Sequence, residues 1–115
     1  MRKIGLLVLA LAAAGQSPSL SAKSASAPKR QISISMFAFA PEKIEVQVGD
    51  VVEWTNADLV PHTATADDGA WTTGDIKHGA AAQFTPTAPG AFAYHCRFHP
   101  QMKGVIVVTS RPASQ

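Results

Sequence analysis

Three residues near the C-terminus carry side chains with metal-binding or nucleophilic chemistry at a regular spacing. Cys96 supplies a thiol, His99 an imidazole and Met102 a thioether, in the pattern C-x-x-H-x-x-M. Each residue type alone is usually structural, and a lone Cys commonly behaves as a small buried hydrophobe. Their joint occurrence directly after an apolar stretch instead predicts a metal site.

The donor set indicates which metal this site would hold. A thiolate, two imidazoles and a weak thioether suit a copper centre that transfers electrons, and His62 can supply the second imidazole. Zinc is the alternative metal because Cys and His also bind it, but Met is a poor zinc ligand. The alternative chemistry is a Cys–His nucleophile pair, for which no orienting Asn or Asp and no oxyanion hole is evident.

The N-terminus has the pattern of a secretory signal peptide. Arg2 and Lys3 precede an apolar run over residues 4–14, and small residues follow. This run is too short for a comfortable transmembrane helix, so we expect residues 1–22 to be removed, with cleavage between residues 20 and 27. We therefore expect a periplasmic protein without stable membrane insertion. A single Cys cannot form an internal disulfide in that oxidising compartment, which independently favours a metal-bound thiolate.

Charge and length limit what the remaining chain can be. Without Arg2 and Lys3, the chain has eight Lys and Arg and eight Asp and Glu, so the mature protein is near neutral. No basic patch predicts nucleic-acid binding. About 90 residues suffice for one small domain with one core. We expect a flexible tail over 23–30, a monomeric domain over 31–109 and a C-terminal tail over 110–115.

Alternation of apolar and polar residues with a period of two dominates the domain. The predicted strands cover 31–36, 43–48, 51–55, 63–66, 80–85, 91–95 and 104–109. Gly and Pro punctuate the connections, and no stretch after the leader predicts a helix. Short strands at this spacing predict an all-β fold, a Greek-key β-sandwich or barrel.

The same alternation orients the side chains near the motif. Phe92, Tyr94 and Cys96 share one face of a strand, so Cys96 is predicted to point inward. His95 would then point to the opposite face, and we predict a structural role for it although it adjoins Cys96. His78 lies in a polar loop and is predicted to be solvated.

Two segments resemble those of a known family. The segment YHCRFHPQMKG at 94–104 resembles the copper loop of the cupredoxins, and that of the amicyanins most closely, because plastocyanins have a longer gap between His and Met. The segment VEWTN at 52–56, followed by Pro61 and His62, resembles the family's first-ligand segment. The resemblance covers roughly residues 31–109 and implies an eight-stranded sandwich with a type 1 copper at one end.

The resemblance also implies a role for each matching residue. The implied copper ligands are His62, Cys96 and His99, with Met102 as the weak axial ligand. Thr63 stands where the family commonly has an Asn that braces the ligand loop. Phe98 and Gln101 replace residues that are Pro and Phe in typical amicyanins.

Four protein ligands leave no open position for a substrate, unlike a catalytic metal. We therefore expect an electron carrier and not an enzyme, with one copper that cycles between Cu(I) and Cu(II). The amicyanin resemblance implies a redox-protein donor, a dehydrogenase such as methylamine dehydrogenase, and an acceptor such as a c-type cytochrome.

Two alternatives to the carrier stay open. The first is a copper-trafficking or storage protein, which would display many Met or His residues, whereas the mature chain has only Met36 and Met102 as methionines. The second is a domain that works only inside a larger oxidase or reductase assembly.

Overall fold

The computed structural model describes residues 27–112, and the predicted signal peptide lies outside this range. Eight strands are present: β1 (Lys29–Ser35), β2 (Ala38–Ala40), β3 (Lys43–Gln47), β4 (Val51–Asn56), β5 (Thr65–Ala66), β6 (Ala81–Phe84), β7 (Gly90–His95) and β8 (Lys103–Thr109). Within the described range there is no helix, and hence none that could cross a membrane. The prediction of an all-β chain is confirmed.

The strands form two sheets of four. Their orders are β2-β1-β4-β6 and β3-β8-β7-β5. The pairs β1·β4 and β3·β8 are parallel, and a tight hairpin cannot join parallel neighbours. The chain therefore passes repeatedly from one sheet to the other, and the two inner faces enclose the core. The predicted sandwich of about eight strands is confirmed.

Strand β2 is the element that alternation did not predict. It has three residues and a single buried side chain, Phe39, which is too little to establish a period. It pairs antiparallel with β1 across a two-residue turn formed by Met36 and Phe37. This hairpin brings Phe37 towards the candidate site.

Strand β1 begins two residues before the predicted domain boundary. Lys29 and Arg30, which we expected in a flexible tail, pair with residues 51 and 52 of β4. The ammonium group of Lys29 also lies 3.8 Å from the carboxylate of Glu53. Pairing with a neighbouring strand, which sequence alternation does not report, orders this part of the tail.

Arg111, expected in the C-terminal tail, is also bound to the domain. Its Nε donates to the carbonyl of Val48 at 3.0 Å, and its Nη2 donates to the carboxylate of Asp50. Asp50 is almost completely buried and also accepts the N–H of Gln47 at 2.8 Å. A buried carboxylate requires such partners, which explains why Arg111 lies against this end of the sandwich.

Aromatic side chains fill the centre of the sandwich. Trp54 on β4 and Tyr94 on β7 are fully buried, and the indole N–H of Trp54 donates to the Tyr94 hydroxyl at 3.2 Å. Gly104 on β8 faces the ring, and a Cβ at this position would lie 2.7 Å from Tyr94 Cε1. The close approach of β8 therefore confines Tyr94, and with it the end of β7 where Cys96 follows two residues later.

Candidate metal centre

Three of the four predicted site residues converge at one end of the sandwich. Cys96 directly follows β7, His62 lies in the connection between β4 and β5, and His99 lies between β7 and β8. Cys96 Sγ lies 3.6 Å from His62 Nδ1 and 3.8 Å from His99 Nδ1. Sulfur and nitrogen donors that share one metal at trigonal angles lie about 3.8 Å apart. The geometry therefore fits a single metal ion.

Burial distinguishes the two imidazoles. Cys96 and His62 have no exposed surface, whereas His99 is only partly buried. Two of the donors thus lie in the protein interior, and the third reaches the surface at this end of the sandwich. His99 is the side chain through which this site approaches solvent.

Met102 is buried in the same core cluster as Cys96. Its carbonyl accepts the N–H of Cys96 at 3.0 Å, and its N–H donates to the carbonyl of His99 at 2.8 Å. These two bonds close the loop from 96 to 102 into a compact turn, which holds Met102 on the inner side. The axial role of Met102 stays a prediction.

Thr63 joins the two loops that bear the donors. Its N–H donates to Cys96 Sγ at 3.4 Å, and its Oγ1 accepts the N–H of Arg97 at 2.8 Å. The same Oγ1 lies 2.9 Å from Thr65 Oγ1, which in turn lies 2.8 Å from Thr72 Oγ1. A hydroxyl thus makes the kind of bracing contact for which the family resemblance implied an amide.

Asp58 is a supporting residue that the sequence analysis missed. Its Oδ2 lies 2.8 Å from His62 Nε2, and a proton held there leaves Nδ1, which faces Cys96, free to bind a metal. Burial acts to raise the pKa of Asp58, but hydrogen bonds from Phe37, His62 and Met36 outweigh it and lower this pKa below its usual value. The only signal in the sequence was the four-residue spacing between Asp58 and His62.

The remaining two histidines lie apart from the cluster. His95 Nδ1 lies 2.6 Å from a carboxylate oxygen of Asp67, and His78 Nδ1 lies 2.9 Å from the carbonyl of Asp58. Among residues 27–112, the grouping with metal-binding geometry contains His62, Cys96 and His99 and neither of these two.

Exposed apolar side chains surround the site. The large hydrophobic residues that are exposed in the described range are Met36, Phe37, Leu59, Val60 and Phe98. All of them belong to the β1–β2 turn, the loop that leads to His62, or the loop that bears His99. Clustering of this kind on one end of a small protein is typical of an interaction surface.

Comparison with known proteins gives consistent matches. The family model of the Cupredoxin-like domain matches residues 4–108. Amicyanin-alpha of Methylorubrum extorquens is 30% identical over 90 residues, which cover 73% of this chain and 75% of that protein.

Solved structures share the fold. A purple cupredoxin from Nitrosopumilus maritimus has a TM-score of 0.64 and 26% identity, and the match covers 70% of this chain and 99% of that one. A Cu-containing nitrite reductase from Thermus scotoductus has a TM-score of 0.71 and 29% identity, with 85% of this chain covered but only 26% of the reductase.

Replacing Thr63 by Val tests the brace between the two loops. Thr63→Val should lower the free energy of unfolding by about 1–3 kcal/mol, because the N–H of Arg97 loses its acceptor. Thr63→Ser keeps the hydroxyl and should stay closer to the original protein. Urea unfolding of the metal-free protein, followed by tryptophan fluorescence, measures both, and equal losses in the two variants would contradict a role for the hydroxyl.

Proposed function

The chain belongs to the cupredoxin-like family, and we propose that it is a small exported copper protein that carries single electrons between redox partners. The observation that carries this proposal is the cluster of His62, Cys96 and His99, whose donor atoms lie within 4.8 Å of one another. A thiolate and two imidazoles, with the thioether of Met102 nearby in the loop, form the donor set of an electron-transfer copper site.

The protein's part in the reaction is to hold the donors in one arrangement. Copper held by these residues would supply one-electron chemistry between Cu(II) and Cu(I). Cys96 is buried and linked to Thr63, and His62 is buried and linked to Asp58. Donors restrained by hydrogen bonds and packing move little between the two oxidation states, which keeps electron transfer fast.

Electrons enter and leave through His99 in this proposal, because it is the partly exposed imidazole. Phe98 is half-exposed, and Pro61 and Pro100 are exposed beside the two histidines. Apolar side chains permit close approach of a partner without desolvation of charge, and redox encounters typically use small surfaces. A dehydrogenase as donor and a c-type cytochrome as acceptor remain our predictions.

Export to the periplasm is the second component of the proposal. The N-terminal pattern of two basic residues and an apolar run supports it. The single Cys supports it further, since it lies buried against two imidazoles and not on the surface. A thiol in this position is protected in an oxidising compartment when a metal occupies the site.

Copper trafficking or storage is the competing function. Such proteins need ligands that a partner can reach, whereas Cys96 and His62 have no exposed surface. The match to the nitrite reductase covers only 26% of that chain, so the likeness does not carry its activity over to this protein. The buried donors therefore favour the carrier over trafficking or storage.

Loss of the thiolate tests the proposal most directly. Copper-loaded protein should show an intense visible thiolate-to-copper band, and Cys96→Ser should abolish it, because a hydroxyl is a harder and far less acidic donor. Absorption spectra at one equivalent of copper measure the band. A strong band that survives in the Ser variant would show that Cys96 is not the ligand.

Met102→Gln tests the axial position. An oxygen donor in place of the thioether stabilises Cu(II) over Cu(I), so the midpoint potential should fall while copper still binds. Met36→Gln, at a methionine that is 85% exposed, is the matched control and should leave the potential unchanged. Voltammetry measures both, and a potential that stays constant or rises in Met102→Gln would rule out an axial role.

Phe98→Ala tests the route of the electron. The variant should keep the visible spectrum and the potential but transfer electrons to a c-type cytochrome roughly tenfold more slowly, because part of the contact surface is lost. Stopped-flow mixing measures the rate, and Pro100→Ala should show a smaller loss of the same kind. Unchanged rates in both variants would leave the two residues as packing elements of the loop.

A further inference from the structure

The turn between β1 and β2 is built from residues that suit it poorly. Met36 has a φ of 53° and Phe37 a φ of 58°, so two successive residues with large side chains occupy the left-handed region. Two-residue hairpin turns of this kind favour Asn-Gly, because other residues are strained there. Strain of this sort persists where the surrounding structure imposes it, and it concentrates at functional sites.

Asp58 imposes this conformation. Its Oδ1 accepts the N–H of Met36 at 2.7 Å, and its Oδ2 accepts the N–H of Phe37 at 2.9 Å. The same Oδ2 is the atom that lies 2.8 Å from His62 Nε2. One carboxylate therefore fastens the strained turn to an imidazole of the candidate metal centre.

The turn places the ring of Phe37 across both imidazoles. Its centroid lies 5.0 Å from that of His62 and 4.7 Å from that of His99, with interplanar angles of 86° and 80°. These edge-to-face contacts are favourable in themselves. Phe37 is 49% exposed, so one side of the ring faces solvent while the other faces the two histidines that flank Cys96.

A surface cavity lies beside the ring. It has a volume of about 200 Å³, and its lining includes Phe37, Phe39, Gln101 and Met102. A cavity of about 150 Å³ accommodates benzene, so a phenyl group has room to turn into this space. The ring therefore lies over the imidazoles and adjoins a space large enough to receive it away from them.

We propose that Phe37 is a lid over the candidate metal centre and that Asp58 is the positioning residue that holds it closed. The closed lid blocks the approach to Cys96 between the two imidazoles, and turning the ring into the cavity opens it. The lid thus sets how quickly a metal ion or a small reagent reaches the thiol. The lid proposal rests on the positions of Phe37, His62 and His99 and not on the assignment of copper.

Alkylation of the metal-free protein measures access to the thiol. Cys96 is the only cysteine, so its reaction with iodoacetamide reports on one site. Phe37→Ala should increase the rate about tenfold or more, because the closed state loses both edge-to-face contacts. Met36→Ala is the matched control from the same turn, since its side chain is 85% exposed, and should react like the original protein.

Two results would overturn the lid. One is an unchanged alkylation rate in Phe37→Ala, and the other is an equal increase in Met36→Ala, which would indicate general loosening of the turn. Phe37→Leu keeps an apolar side chain in the turn and serves as a second variant in case Phe37→Ala does not fold. An alkylation rate of Cys96 between those of the original protein and Phe37→Ala supports the lid. Faster alkylation in a protein that binds no copper would refute the electron-carrier proposal alone.

A double variant tests the role of Asp58. Asp58→Ala should also speed alkylation, because the turn loses both acceptors. Adding Met36→Asn supplies a residue that tolerates the left-handed region, so the rate should return part of the way while Phe37 is retained. Absence of any rescue would show that Asp58 acts on His62 alone and does not position the lid.

Discussion

The contact between Thr63 and the end of β7 is the interaction on which the site depends. A strand end can carry Cys96 inward, but it cannot by itself hold an imidazole from a distant loop beside the sulfur. Thr63 makes that connection twice, through its N–H to Cys96 Sγ and through its hydroxyl to the N–H of Arg97. Because His62 directly precedes Thr63, its ring is placed by the same bonds.

The sandwich core supplies the rigidity that this contact requires. Tyr94 is held between the indole of Trp54 and the backbone of Gly104, so the end of strand β7 before Cys96 has little freedom. The backbone on the opposite side of the site is strained. The Met36–Phe37 turn adopts a strained backbone and keeps it through hydrogen bonds to Asp58. Rigid packing and local strain thus serve one purpose, which is to fix groups around a buried thiol.

Much of this arrangement was predictable because local patterns encode it. Alternation indicated seven of the eight strands and the inward direction of Cys96, and the resemblance supplied the count of eight. The spacing of Cys96, His99 and Met102 lies within one short loop, so it depends on no distant contact. The short strand β2, which forms a hairpin with β1, escaped prediction because three residues cannot establish a period. The ordered positions of Lys29 and Arg111 escaped because their partners are distant in sequence.

By itself the sequence determined the strand pattern, the choice of donor types and the identity of the loop that bears most of them. Only the tertiary structure decided which side chains from other parts of the chain contact that loop and His62. Nothing in the order of residues 36, 37 and 58 indicates that a carboxylate joins a strained turn to His62, or that a phenyl ring lies over two imidazoles. The physical reason is that these contacts arise from pairing of β1 with β4 and of β1 with β2, and such non-local pairings leave no periodic trace in the chain.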